Sequence, residues 1–442
     1  MQGQASGRPE SPREAPSSAR VLRRPRRQRR RCSGQRCVEA RAAAMMSTMS
    51  APKTARTSMS AAPPTDWNPA SPEVLNDQIT AYDVMRRRCA MARSDYLWWS
   101  LFRHADLMRV LHDPVSFSNA ASNHLSIPNA MDPPEHTPYR RIIERYFSAE
   151  RMADFEPACQ AIADVLIAAQ PRGAPFDAMA GVAQPFALRI QCAFMGWPES
   201  LHEPLRQWIA DNHRATRAGD RSAMAQIALE FDGYIKQQLV QRRDAGEATA
   251  DDVTSRLLGE RIHGRALSDE EIVSIVRNWT VGELGTIAAS VGILLHYLAT
   301  HPVLQDELRR QPGKLPAAID EILRIHPPLI ANRRVTTCPV EIGGRRLDAG
   351  ERLTLIWAAA NRDEAVFGDP DAFDPARNAG NNLLYGAGVH VCPGAPLARL
   401  ELRVLMQALL ASTRAIELAA GPAAQRASFP ASGFASLPVS LQ

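Results

Sequence analysis

One cysteine, Cys392, stands among glycines in the run Tyr385-Gly386-Ala387-Gly388-Val389-His390-Val391-Cys392-Pro393-Gly394-Ala395, just ahead of a helical stretch that begins at Pro396. Glycines permit left-handed backbone and close approach, and a helix N-terminus favours a thiolate. Such a sulfur can ligate a metal; in a tight buried loop it can equally be structural. Two further pairs sit at helical spacing. Glu321 and Arg324, at i and i+3, can pair on one face, although a pair of that kind is more often a solvated surface bridge. Glu283 and Thr286 share a face at the same separation, with Thr280 a further hydroxyl. They can pass protons, or be no more than a helical threonine bonded back to a carbonyl beside a surface charge.

These residues need elements to hold them. Apolar residues returning every three or four positions predict helices over 71–88, 138–147, 152–169, 184–196 and, longest, 268–301. Ser268 and Glu271 make a capping-box start and Pro302 ends the run, so that helix is on the order of 50 Å long. Strand signals are confined to 96–102, 335–342 with a Gly343-Gly344 turn, and 352–357. The expected fold class is mainly α with small β-sheets. No internal repeat is visible.

The 442 residues carry 52 Lys+Arg against 47 Asp+Glu, a net charge of +5 that conceals a split. Residues 1–60 sum to +11 and residues 61–442 to −6. The run Arg23-Arg24-Pro25-Arg26-Arg27-Gln28-Arg29-Arg30-Arg31 repels itself, lacks apolar periodicity, and reads as a disordered tail. It allows a nucleic-acid patch, an organellar presequence, or residues upstream of a true start at Met45, Met46, Met49 or Met59; prolines that break a presequence helix favour the last. Residues 61–442 are expected to form one domain, although a length-based prior allows two or three. Cys32 and Cys37 lack a second ligand pair nearby. Seven cysteines without close pairing fit a reducing, cytoplasmic setting rather than a disulfide framework. The closest approach to a membrane span, 284–300, is interrupted by Gly285, Thr286, Ser290 and His296, so no membrane role is expected.

The run around Cys392 resembles the haem-thiolate signature of the cytochrome P450 family, and the resemblance extends over essentially all of residues 65–442. Glu321-Ile322-Leu323-Arg324 looks like the family's Glu-x-x-Arg pair. Asn361-Arg362-Asp363, Phe367-Gly368-Asp369-Pro370 and Phe373-Asp374-Pro375-Ala376-Arg377 follow at family spacing, with Arg377 similar to the third member of a buried triad. The resemblance implies the cytochrome P450 fold and haem b. Cys392 would be the iron ligand and Gly394 would lie against the cofactor. His136 and Arg140, in and after Asp132-Pro133-Pro134-Glu135-His136-Thr137, together with Arg334 and His390, would hold the haem propionates; Arg333 is an alternative to Arg334. Family members usually carry an acid before the alcohol in the long helix. Here Thr286 falls on the alcohol position and Gly285 on the acid position, which leaves Glu283 as the nearest proton carrier. Two departures stand near the sulfur. Tyr385 replaces the usual Phe and adds a hydroxyl that needs a partner, and Pro393 lacks an N–H, which favours an electron-rich thiolate.

By the same resemblance the chain is a monooxygenase. It would hydroxylate or dealkylate a small hydrophobic, aromatic substrate with O2. Substrate contacts are expected from 118–131, 281–285 and 328–331, which carry Ala120, Ala121, Leu125, Ile127, Leu329 and Ile330. Only fifty residues follow Cys392, so electrons are expected from a separate ferredoxin and an NAD(P)H-dependent ferredoxin reductase. Arg141, Arg145, Arg399 and Arg403 are read as a basic docking patch. The detailed resemblance is to a bacterial subgroup found alone or fused to phthalate-dioxygenase-type reductases and acting on aromatic and herbicide-like molecules, thiocarbamates included. Alternatives are a peroxide-driven or electron-independent haem-thiolate enzyme and a non-catalytic haem-binding protein. The acidic body gives no reason to expect nucleic acid.

Overall fold

The computed structural model describes residues 65–121, 124–245 and 252–442; the Arg-rich tail of residues 1–60, with Cys32 and Cys37, lies outside the described residues. Helices form where the periodicity places them, α1 (His136–Glu144), α2 (Ala149–Ala168), α3 (Gln184–Met195) and α4 (Asp269–Thr300), and the Glu321–Arg324 pair and the stretch after Cys392 lie on α5 (Leu315–Ile325) and α6 (Ala395–Ser412). Ser148 caps α2, and Gly196 closes α3 in the left-handed conformation. The predicted capping box opens α4, whose 32 residues span about 48 Å. The stretch 71–88 is not one helix. Asp77 leaves helical geometry and caps a new start at Gln78, its side chain accepting from the Thr80 N–H at 3.2 Å.

The sheet of five strands has the order β1 (Met91–Ser94), β2 (Trp98–Leu101), β5 (Arg352–Ile356), β4 (Ala331–Thr336), β3 (Phe117–Ser118). Only β5 and β2 run parallel. The single strand expected over 335–342 divides: β4 ends at Thr336, and Val340–Ile342 starts a separate hairpin through the predicted Gly343-Gly344 turn.

The largest core cluster gathers around α4, whose buried residues include Ile287, Val291, Leu294 and Leu298, and takes in α2, α3 and α6. Among the described helices α4 is the one long and apolar enough to cross a membrane, but two thirds of its apolar stretch is buried within the protein. Its exposed apolar residues are interior in position: Val281 is 51% exposed, beside Gly282 and Gly285, which are also exposed. A side chain added at either glycine would meet nothing within 4 Å. The middle of α4 therefore borders an open cleft.

Candidate functional site

The loop from Tyr385 to Gly394 reaches that cleft through two left-handed glycines, Gly386 and Gly388, at φ +74° and +72°. Gly388 passes so close to the end of the helix His104–Leu111 that a Cβ would lie 2.1 Å from the Leu111 carbonyl oxygen. The Cys392 N–H donates to the Tyr385 carbonyl at 2.8 Å, closing the loop. Cys392 is deeply set, yet its residue surface is exposed, as expected of a side chain facing an internal cleft. Burial raises its thiol pKa, while the N–H groups of Gly394 and Ala395 oppose that shift by donating to the sulfur. Pro393 removes one donor, and these two remain.

On one side of the cleft a set of basic groups converges. The His136 and His390 rings meet edge to face with centroids 4.5 Å apart, and the Nε2 of each is enclosed without a hydrogen-bond partner. Burial lowers both imidazoles, His390 to about 3, with His136 and Arg334 adding to the effect on His390. Arg334, 6% exposed, donates only to the Arg333 carbonyl, and burial lowers its guanidinium to about 10. Asp132 is the acid that offsets this cluster. Two further carboxylates would satisfy the orphaned nitrogens and reverse the burial shifts. Alternation along β4 decides between the neighbours: Arg334 turns inward while Arg333 lies over the Trp98 ring at 5.0 Å. Arg140 is partly committed elsewhere, its Nε to Glu144 at 2.7 Å and its Nη1 to the Val391 carbonyl at 2.6 Å, so it also ties α1 to the cysteine loop.

A lone reachable cysteine sulfur, a glycine-lined opening on α4 and orphaned donors for acids fit a flat, sulfur-ligated cofactor bearing carboxylates. Among the described residues no group of three or more His, Cys, Asp or Glu could hold a bare metal ion. Among the described cysteines Cys89, Cys159, Cys192 and Cys392 are free thiols and Cys338 is disulfide-bonded.

Thr286 donates to the Gly282 carbonyl one turn back and not to the Glu283 carboxyl. Glu283 is partly exposed, but its Oε1 is sealed without a donor. Thr280 turns away from the cleft, accepting from Gln191 at 2.8 Å and donating to the Val276 carbonyl. The residue that sequence reasoning missed is Glu401 on α6. It is fully buried, and neither carboxyl oxygen meets a donor. Leu397 and Leu405, one turn either side, are buried, so an acid interrupting an apolar stripe was its signal.

The Glu321–Arg324 pair is structural and buried, at 2.8 Å, with Arg324 also donating to the carbonyls of Asn361, Pro370 and Ala372. Arg377 does not complete it. Its guanidinium is half exposed and engages Phe367 O and Asn378 Oδ1, while Asn378 donates to Glu321 at 2.7 Å. The single helical turn Pro375–Asn378, capped by Asp374, aims the fourth residue at the acid instead of the third.

Three arginines of the expected basic patch already carry acids: Arg145 with Glu260, Arg399 with Asp320 and Arg403 with Glu156. Tyr385 lies under Arg399 at 4.4 Å with its hydroxyl enclosed and unpartnered. Leu125, Val281 and Leu329 present exposed apolar surface, but Ile127 and Ile330 turn into the core at 1% exposure, away from any substrate surface.

Residues 314–416 match the sequence profile of the family Cytochrome P450. The chain is 32% identical over 345 residues to erythromycin C-12 hydroxylase of Saccharopolyspora erythraea, covering 74% of this chain and 85% of the relative. It is 31% identical over 340 residues to cyclomarin C epoxidase CymV of Salinispora arenicola, covering 73% of this chain and 85% of the relative. A solved structure of a P450 EryK mutant with erythromycin B superposes with a TM-score of 0.76 at 28% identity, over 83% of this chain and 97% of that one. The chain belongs to the cytochrome P450 family. It is a P450 monooxygenase whose cofactor is haem b.

Proposed function

We propose that residues 61–442 act as one haem-thiolate unit that oxygenates a small, hydrophobic, aromatic substrate with O2 and electrons from a separate ferredoxin and its NAD(P)H-dependent reductase, in the cytoplasm. The observation that carries the site reading is the conjunction of one reachable sulfur, Cys392, with orphaned His136 and His390 nitrogens and exposed glycines on α4. Cys392 would ligate the iron, Gly394 would let the sulfur loop lie close to the ring, and His136, Arg140, Arg334 and His390 would receive the propionates. Haem b, when bound, supplies the iron centre at which O2 is bound and reduced.

The chain's own residues then bind, exclude water and move protons. Leu125, Val281 and Leu329 offer apolar contact that favours a hydrophobic substrate. The loop before α1 is fastened to α4: the Ile127 N–H donates to Ser274 Oγ at 2.8 Å, and Asn278 Nδ2 to the Ile127 carbonyl at 3.0 Å. Thr286 stands on the face that borders the cleft and passes protons from Glu283, which takes the part of the acid absent at Gly285. Placement in the subgroup acting on herbicide-like molecules rests on local sequence likeness alone.

The test is the carbon monoxide difference spectrum of the reduced protein followed by NADH-driven turnover with added ferredoxin and reductase. A thiolate-type Soret band and an oxygenated product that depends on both partners are expected. A neutral-ligand band would overturn Cys392 as ligand. Turnover with peroxide alone would select the peroxide-driven alternative.

A further inference from the structure

Three aromatic rings with no stated role lie in series from the Cys392 loop to the surface. A Cβ placed on Gly394 would stand 3.9 Å from both the Cys392 Sγ and the Phe147 ring, so that ring packs against the sulfur loop. Phe147 meets Trp279 of α4 edge to face at 5.3 Å between centroids, and Trp279 meets Tyr146 at 5.5 Å. The Tyr146 hydroxyl donates to Glu260 at 3.0 Å, and Glu260 also holds the exposed Arg145. Indole and phenol are the side chains of this series that lose an electron most readily; phenylalanine only bridges. The Trp279 Nε1 is enclosed with no acceptor, so an oxidised indole keeps its proton and charge and passes the oxidation on. Arg151 lies over the Tyr146 ring at 5.4 Å and opposes a second positive charge there. Tyr146 therefore gives up an electron only as its proton leaves, and Glu260 is placed to take it. Other tyrosines lack one part of this arrangement. Tyr385 lies under Arg399 with no acceptor for its proton, and Tyr139 donates to Glu271 but has no ring against it among the described residues.

We propose that Trp279 and Tyr146 drain oxidising equivalents from the haem site when no substrate takes them, the oxidation coming to rest on Tyr146 as its proton passes to Glu260. The oxidant is the equivalent left at the haem after O2 or peroxide has been reduced there. One electron leaves Tyr146 through Trp279 and Phe147 and reduces the site by one. The phenol O–H bond breaks, Glu260 becomes a neutral acid, and Tyr146 is left as a neutral radical. A one-electron reductant of the ascorbate class, arriving from solution at the Arg145 end, returns the electron, and Glu260 returns the proton. Burial and the Glu260 carboxylate raise the Tyr146 phenol, which keeps it protonated until it is oxidised. The inference rests on Cys392 as the iron ligand, which places the haem beside Phe147.

The experiment mixes the haem-loaded full chain with hydrogen peroxide, without substrate, ferredoxin or reductase, and reads radicals by rapid-freeze electron paramagnetic resonance. A neutral tyrosyl signal is expected in wild type, Y385F and Y139F. It should vanish in Y146F and fall several-fold in W279F and E260Q, while E260D, which keeps a carboxylate, recovers part of it. An undiminished signal in Y146F, or its loss in Y385F instead, would overturn the assignment; an unchanged signal in E260Q would overturn the proton path, and in W279F the electron path. With ascorbate present, peroxide should bleach the Soret band several-fold faster in Y146F than in wild type, and equal rates would overturn the draining role. Y146F keeps the ring and its packing, so the radical readout stays open if W279F fails to fold. The carbon monoxide band of the same samples reads the axial ligand separately. A neutral-ligand band in wild type would sink Cys392 as ligand, whereas a thiolate band with no radical on Tyr146 would sink this inference alone.

Discussion

Replacing Gly388 with Ala separates backbone strain from collision in the cysteine loop, because Gly386 offers a control two residues away. Both glycines are left-handed, at φ +72° and +74°, so Ala carries a similar conformational cost at each, about 1–2 kcal/mol. Only Gly388 has a neighbour. Its added Cβ would sit 2.1 Å from the Leu111 carbonyl oxygen, well inside the roughly 3.5 Å at which non-bonded carbon contacts are favourable. No side-chain rotation relieves a clash with backbone, so either the loop or the end of the His104–Leu111 helix must move. Overpacking of this kind adds about 1–3 kcal/mol. G386A should therefore lose about 1–2 kcal/mol and G388A about 2–5 kcal/mol in urea unfolding of the haem-loaded protein. Because the Cys392 N–H is bonded back to the Tyr385 carbonyl across this loop, G388A should also lower the fraction showing the thiolate band with carbon monoxide, and G386A much less. Equal losses for the two variants, or a full thiolate band in G388A, would refute the reasoning.

Thr286→Ala should lower product per NADH and raise peroxide in coupled turnover, with substrate affinity little changed; unchanged coupling would remove the hydroxyl from the relay. Asn378→Leu takes a donor from buried Glu321 and should cost about 1–3 kcal/mol in urea, whereas Arg377→Ala, at a half-exposed site, should cost about 0.5 kcal/mol or less. Hydrogen bonding from Arg265, with help from Tyr139 and the Ser268 N–H, holds Glu271 at about 2 against its ordinary 4.5. The stabilisation from this lowered carboxyl is present above pH 4.5 and lost as pH falls toward 2, so the stability curves of wild type and E271Q should converge across that window.

Much of the site was legible because its determinants are local. The glycine spacing before Cys392 is a statement about backbone angles within a few residues, and Gly388 adopts the left-handed geometry that only glycine takes freely. The capping box at Ser268 and Glu271 likewise marked the start of α4 to the residue. Charge was less legible. Arg145 meets Glu260 115 positions away, Arg399 meets Asp320 79 away, and Arg403 meets Glu156 247 away, so the apparent basic patch is largely paired. Asn378 displaced Arg377 at Glu321 because one helical turn sets which residue points inward.

The long helix with its cap, the Gly343-Gly344 turn and the ligand loop thus follow from patterns that repeat within one turn of chain. The electrostatic state of the acids and bases does not. Whether Glu401 is a surface acid or a buried one, and whether His390 is cationic or held down to about 3, depends on which remote segments exclude water around it. Desolvation sums over every neighbour in space, and only the tertiary structure brings α2, α4 and α6 together in one core around Glu401.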